Sequence, residues 1–262
     1  MQSDKAWSQT AINYSSDSMI KVPEFYASVS AGLLLQDLPA DGSIKFLDVA
    51  AGLGTVTTKV LEHLTPEQRE ASTIDVTDFS EGMVEKAESR ISSEEAYAKV
   101  TKKFQVMNGQ DLKFPDNTFS HIGCQFGIMF YPDRALGLSE LYRVLQPDGK
   151  AVIGTWHYTD NLTLLDEFAA YLGLIDVAEG RAAMVTAMEA CGEPEVFQQE
   201  LAAAGFTEIA IQKVDKTFTL PNDEGLFLAF ATNAAMKWAA GGVHNYPQWQ
   251  EFLETVGAKW IN

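Results

Sequence analysis

The sequence predicts an α/β, doubly wound fold: a mostly parallel seven-stranded sheet with an antiparallel last strand, plus N-terminal and cap helices. Three observations predict it. Phe46 to Thr55 reads F-L-D-V-A-A-G-L-G-T, an apolar run that reaches Asp48 and then breaks into small residues. Thr55 to Leu64 follows with Val56, Val60, Leu61 and Leu64 at helical spacing. The same alternation of strand-like and helix-like segments then recurs to about residue 156. A strand, a small-residue turn and a helix make the nucleotide-binding start of such a sheet. Its close backbone and helix amino terminus suit a ligand with phosphate or carboxylate oxygens.

Taken in order, residues 4 to 13 and 18 to 37 have helical patterning. Val22, Phe25, Tyr26, Val29, Leu33 and Leu34 mark one face, Pro23 fits an early turn, and Tyr14 to Ser18 form a cap-rich break. This section is expected to act as a lid, with Tyr14 its candidate functional residue; an aromatic packing anchor is the plainer role for Tyr14. After the first strand and helix, Ser72 to Thr77 is the second strand, ending at Asp78. Asp78 follows Gly54 by 24 positions, near the roughly 20 expected of a carboxylate that accepts from ribose hydroxyls. Ser80 caps the next helix, whose inner face is Met83, Val84, Ala87 and Ile91.

Lys103 to Met107 is the third strand. The loop Asn108 to Phe119 contains the turn Pro115-Asp116-Asn117. Phe119 to Gly127 is the fourth strand, with Gln125 to Phe130 opening onto the same crevice as the first turn. Asp133 to Leu145 is helical, Pro147-Asp148-Gly149 turns the chain, and Lys150 to Trp156 is the fifth strand. Beyond it, Asn161 to Leu174 and Gly180 to Glu193 have helical patterning, as does Glu195 to Ala204. Ile209 to Val214 and Lys216 to Leu220 are expected as the last two strands, and residues 222 to 240 and 246 to 258 as helices. The organisation is one domain over 1–262, with N-terminal lid helices (1–40), a core (44–156) and helical cap elements (157–193 and 222–262).

Composition limits the partners. A formal charge of −17 over 262 residues repels a phosphate backbone, which argues against nucleic acid, and Lys99, Lys102 and Lys103 form only a small basic cluster. No apolar run is long enough to span a membrane, and the start Met1-Gln2-Ser3-Asp4-Lys5 lacks signal-peptide patterning. Cys124 and Cys191 make no disulfide framework, so a reduced, cytoplasmic setting is expected. Two cysteines and the scattered His63, His121, His157 and His244 make no metal set.

The first turn discriminates between nucleotide ligands. A dinucleotide turn has the pattern G-x-G-x-x-G, but here Thr57 takes the third glycine's place. Asp48 adds a negative charge beside the turn, unfavourable to a pyrophosphate and favourable to an ammonium or sulfonium. That charge logic favours S-adenosyl-L-methionine (SAM).

Four segments, with the fifth strand after them, then carry a family resemblance over about residues 44 to 156. Asp48 to Gly54 resembles motif I of class I SAM-dependent methyltransferases, D-x-G-x-G-x-G, with Ala50 at its first glycine. Asp78 to Met83, D-F-S-E-G-M, is similar to the pattern D-x-S-P-x-M. Asn108 to Phe119 resembles D-A-x-x-L-P-F-P-D-N-S-F, and Glu140 to Lys150 resembles E-x-x-R-V-L-K-P-G-G, both with the fifth strand following in order. Farther on, A-A-A-G-F-T-E-I is similar to L-x-x-A-G-F-x-x-V. The resemblance implies a small-molecule enzyme of the quinone-biosynthesis type that binds SAM and releases S-adenosyl-L-homocysteine. It implies cofactor contacts at Asp48, Ala50, Gly52, Gly54, Asp78, Phe79, Met83, Asn108, Gly109 and Gln125. Asn108 stands where the family has an acid, so it keeps a hydrogen-bond acceptor and loses a charge. Phe79 is placed to pack on the adenine face.

Methyl transfer needs positioning more than a nucleophile, and no nucleophilic triad is present. His157, just past the fifth strand, is the candidate base, alongside Tyr14; a loop imidazole is the plainer role for His157. Met129, Phe130, Tyr131 and Trp156 are the candidate acceptor wall, pointing to a planar or hydrophobic acceptor. The D-P-P-Y-type signature of nucleic-acid amino-methylating enzymes is absent. The alternative function is a SAM-binding protein that does not transfer a methyl group.

Overall fold

The computed structural model describes residues 17–157 and 192–217. Five strands form one sheet in the order β3-β2-β1-β4-β5. They are β1 (Lys45–Val49), β2 (Thr73–Asp78), β3 (Thr101–Val106), β4 (Phe119–Gln125) and β5 (Leu145–Gly154). Every neighbouring pair is parallel. The helices are α1 (Asp17–Leu35), α2 (Thr55–His63), α3 (Pro66–Ala71), α4 (Glu81–Ser92), α5 (Arg134–Val144) and α6 (Pro194–Ala204).

Both faces of the sheet are covered, and β1 shows how. Phe46 packs into one layer with Val56, Val60, Ile74 and Ile91, while its neighbour Leu47 packs into the other with Ile122, Leu138 and Leu141. Successive side chains of a strand point to opposite faces, so a strand buried twice needs apolar residues at consecutive positions. The F-L-D-V run supplies them, with Asp48 as the exception that proves chemical (below).

Local signals set the helix ends. Ser80 caps α4 by accepting from Met83 N–H, and Asp133 caps α5 by accepting from Leu136 N–H. Thr65 and Gln68 form a reciprocal capping box that starts α3, a short helix absent from the sequence reading. At Gly54, the N-cap of α2, φ is 69°, and an added Cβ would lie 2.7 Å from Ile91 Cδ1. Gly54→Ala is therefore expected to lower stability by about 1–3 kcal/mol, from the left-handed backbone plus crowding; urea unfolding of the two proteins measures it.

The inner face of α1 differs from the sequence expectation. Its most buried residues are Ala27, Ser30, Ala31 and Leu34; of the expected apolar face only Leu34 is fully buried, and Val22, Phe25, Tyr26, Val29 and Leu33 are half-buried. Small residues let α1 lie close to α2. An ion pair from Arg90 Nη2 to Glu24 Oε1 (2.6 Å) also ties α1 to α4. Thus α1 is a packed layer element, and its neighbouring turns carry Tyr26 and Ser30 toward the carboxyl end of the sheet.

The expected antiparallel end of the sheet is not borne out. Ile209 to Val214 run without strand pairing, although Ile209 packs against the α5–α6 side of the core. Ile211 stays exposed. The strand expected at Lys216 to Leu220 lies largely outside the described residues, as does the helix expected at 180–193, and the helices at 4–13, 161–174, 222–240 and 246–258 lie wholly outside them. No helix among the described residues is long and apolar enough to cross a membrane.

Candidate cofactor and acceptor site

The strand order reverses between β1 and β4. Open parallel sheets bind ligands at the carboxyl ends of the strands at such a reversal, and the turns that carry Ala50, Gly52, Gly54, Asp78 and Phe79 lie there. In the turn after β1, Ala50, Gly52 and Gly54 have φ of 53°, 54° and 69°. A Cβ at Gly52 would meet nothing within 4 Å, so this face of the turn is open to a ligand. Ala50 adopts the left-handed backbone that explains the usual glycine, at a cost of about 1–2 kcal/mol. Its methyl group lies against Gly127, which has no room for a side chain of its own. The turn after β1 and the loop after β4 are thus in direct contact.

Asp48 does not face the crevice. It is fully buried, with Oδ2 accepting from Thr57 N–H (3.0 Å) and Thr57 Oγ1–H (2.6 Å). The residue that breaks the dinucleotide glycine pattern therefore supplies two donors to the buried acid. Asp48 Oδ1 has no hydrogen-bond partner among the described residues. Burial pushes the carboxyl up to about 7 against the pull of the Thr57 bonds, and nearby Asp78 pushes it the same way. Asp48 supports the turn from below; its charge reaches a ligand through the backbone layer, not by contact.

Asp78 ties the second strand to the same turn. Its Oδ2 accepts from Gly52 N–H (2.8 Å) and its Oδ1 from Ser80 N–H (2.9 Å). Beside it, Phe79 is 44% exposed, and Val106, which pairs with Asp78 across β2–β3, is 55% exposed. Two large apolar groups left open next to a carboxylate suit the flat face of a nucleobase beside a ribose. Asn108 is exposed, with Oδ1 accepting from Gln110 N–H (3.0 Å). Gly109 is buried, and the Tyr131 ring fills the space a Cβ would take. Met83 sits behind the turn, packed with Leu53 and Ile20. It shapes the turn from the rear.

The loop that carries Asn108 and Gly109 is clamped from α5. Arg143 donates to Leu112 O, Phe114 O and Asp116 Oδ1 (each 2.8 Å) and pairs with Glu140, whose Oε2 accepts from Leu112 N–H (2.7 Å). The acids beside it raise the Arg143 pKa further. Arg143→Ala should lower stability by about 2–4 kcal/mol, because charge-assisted bonds to several groups are lost at once; guanidinium unfolding would show it, and a change under 0.5 kcal/mol would refute the clamp.

The proposed acceptor wall is only partly as expected. Met129 is 2% exposed and belongs to the interior. The Tyr131 hydroxyl is buried beside Gly109, and Phe130 is half-buried. Trp156 instead stacks on Phe126 (ring centroids 4.1 Å apart, 8° between planes), and Tyr26 of α1 meets both rings edge-on at 5.4 and 5.6 Å. Phe126 has φ 59°, which is strained for an aromatic residue. Gln125 links this corner to α1 by accepting from Ser30 Oγ–H, and its carboxamide packs on Gly154.

The candidate bases are engaged or buried. His157 is exposed; its Nδ1–H donates to Gly192 O (2.7 Å), which leaves Nε2 to accept from Lys213 Nζ (3.2 Å). Burial first, then Lys150, pushes His121 down to about 4, so its ring is neutral. Burial pushes the Cys124 thiol up to about 12, and it is inert. Tyr14, Cys191 and His244 lie outside the described residues.

A sequence model described as the ubiE/COQ5 methyltransferase family matches residues 34–214. The chain belongs to that family. Among relatives of this ubiE/COQ5 family member, the ubiquinone/menaquinone biosynthesis C-methyltransferase UbiE of Geobacter sulfurreducens is 36% identical over 109 residues, covering 42% of this chain and 40% of that protein. The chain thus matches less than half of that relative's length. The demethylmenaquinone methyltransferase of Bacteroides fragilis is 27% identical over 179 residues, covering 65% of this chain and 70% of that protein. The CurJ carbon methyltransferase structure superimposes with a TM-score of 0.53 at 18% identity, covering 72% of this chain and 49% of that one. A Methanococcus maripaludis protein described as a SAM-dependent methyltransferase gives a TM-score of 0.50 at 18% identity, covering 77% and 84%. These two structures share the ubiE/COQ5 member's α/β fold.

Sequence reasoning missed Tyr26, Ser30, Thr57, Phe126 and the Glu140–Arg143 clamp. Thr57 left a signal, the interrupted glycine pattern. The strained backbone of Phe126 left none.

Proposed function

We propose that this protein transfers a methyl group from SAM to a small-molecule acceptor, chiefly by positioning. One observation carries the reading: Asp78 bonds to Gly52 N–H while Gly52 keeps an open face and Phe79 stays exposed beside them. Family membership supports it. The residues present fit the cofactor: an open left-handed turn, a carboxylate for the ribose, exposed apolar groups for the adenine, and a buried acid below. Bound there, SAM supplies the methyl group and carries its own leaving group.

The chain's own residues hold, orient and dry the site. Asp78 and the turn amides fix the ribose end, Phe79 and Val106 cover the base, and Asn108 Oδ1 offers an acceptor to an amino group. The Tyr26–Phe126–Trp156 cluster excludes water beside the switch point, which suits a planar, apolar acceptor. Neither His157 nor His121 offers a free, suitably poised lone pair, so the acceptor favoured is one that needs little help losing its proton. The buried free thiol of Cys124 agrees with a reduced, cytoplasmic setting.

Calorimetric titration with SAM, S-adenosyl-L-homocysteine and NAD, followed by an acceptor panel with methyl-labelled SAM, tests this. Binding of the two sulfur ligands but not NAD, with label appearing in a planar acceptor, is the expected result. Tight SAM binding with no S-adenosyl-L-homocysteine formed across the panel would favour the second reading, a SAM-binding protein without methyl transfer. The engaged state of His157 is the observation that keeps that reading in play.

A further inference from the structure

The rim beside the aromatic cluster has a feature that neither the cofactor site nor the overall charge requires. His157 follows Trp156 directly, and Lys213 Nζ reaches its Nε2 at 3.2 Å. The bond from His157 Nδ1–H to Gly192 O sets the orientation of the ring. Lys213 gives one of its three donors to the other ring nitrogen. Lys216 Nζ lies 5.0 Å from the centroid of the Phe25 ring. Phe25 meets Tyr26 edge-on at 5.1 Å, and Tyr26 meets Trp156. Lys216 is thus linked through Phe25 and Tyr26 to Trp156, and Lys213 reaches the residue that follows Trp156.

Neither lysine forms an ion pair among the described residues, although the chain carries 36 acidic side chains against 19 basic ones. In a chain this acidic, two cations on the rim of an apolar wall, with no ion pair among the described residues, form a local reversal of the field. Among the described residues Asp215, between the two lysines in sequence, is the acid beside them; burial first, then Asp215, pushes the Tyr26 phenol up.

Resting on the methyl-transfer reading above, we infer that the acceptor is a planar ring bearing a carboxylate, with the ring against Trp156, Phe126 and Tyr26 and the carboxylate received by Lys213 and Lys216. The two lysines fix which edge of the ring faces the cofactor turn, so they set specificity and orientation, not the chemical step. The acidic remainder of the protein slows encounter with anions in general, while this rim retains those that also stack.

The test is fluorescence and calorimetric titration of the full chain, with and without saturating S-adenosyl-L-homocysteine, using 2-naphthoate and its neutral isostere 2-naphthamide. The expected result is about a tenfold preference for naphthoate, which is what two partly exposed ion pairs sum to. It should shrink as salt rises. In Lys213→Met/Lys216→Met the preference should fall to within about twofold while naphthamide affinity and S-adenosyl-L-homocysteine affinity stay unchanged. Equal binding of the two probes, a preference that survives the double substitution, or no binding of either probe overturns the inference. Loss of S-adenosyl-L-homocysteine binding in the parent chain is a separate outcome, and it removes the methyl-transfer reading on which the inference stands.

Discussion

Asp78→Ala is expected to weaken SAM binding by about 100- to 1000-fold, the loss of two to three charge-assisted hydrogen bonds at about 1.5–3 kcal/mol each, partly compensated by water. The carboxylate does two things at once. It would accept from a ribose, and it already accepts from Gly52 N–H and Ser80 N–H. Removing it takes away a ligand contact and lets the turn after β1 relax away from β2. Asp78→Asn keeps one acceptor oxygen, so its loss should be smaller, about tenfold. Calorimetry gives the affinities, and far-ultraviolet circular dichroism reports whether the fold survives. Because Asp78 is only half-buried, the alanine protein should fold. An unchanged dissociation constant in a folded Asp78→Ala protein would falsify the site assignment.

Asp48→Asn should raise the melting temperature of the ligand-free protein at pH 8 and flatten its dependence on pH. The folded-state pKa of Asp48 is about 7, against an ordinary 3.8. A raised carboxyl pKa means that the folded chain holds the proton more tightly than the unfolded chain does. The contribution is fully present below about pH 4 and is lost as pH rises toward 7. The difference corresponds to as much as about 4 kcal/mol, and a melting shift of about 2–4 °C accompanies each kcal/mol in a protein of this size. Asparagine keeps an oxygen for the two Thr57 donors and removes the charge that burial penalises. Asp48→Ala is different: it leaves Thr57 N–H and Oγ1–H without their acceptor, and it should destabilise at every pH. Melting curves from pH 5 to 8 on the parent and both variants separate the cases. Coincident pH profiles for the parent and Asp48→Asn would show that the buried acid is not the titrating group.

The two carboxylates also show what could be read in advance and what could not. The turn Ala50 to Gly54, the acid at the end of β2, the cap at Ser80 and the turn at Pro115 to Asn117 were legible because each depends on residues within a few positions. Small residues permit left-handed backbone, serine caps a helix, and apolar residues at consecutive positions mark a strand buried on both faces. These signals also set the order of the five strands and helices, and with it the crevice onto which the loops open. The sequence by itself thus determined the α/β class with its parallel sheet and the small-residue turn and acid that meet at the carboxyl ends of β1 and β2.

Only the tertiary structure decided the rest. Asp48 turns away from the crevice because Thr57, nine positions later, offers two donors underneath the turn. Met129 is interior, while Tyr26 of α1 joins Phe126 and Trp156 at the acceptor corner. In the segment Ile209 to Val214, Ile209 packs on the core and the chain does not pair as a strand. His157 has its lone pair taken by Lys213, 56 positions away. In each case the outcome depends on which distant group arrives to satisfy a charge, a donor or an apolar surface. Local patterning constrains the backbone at a residue but carries no information about that distant partner.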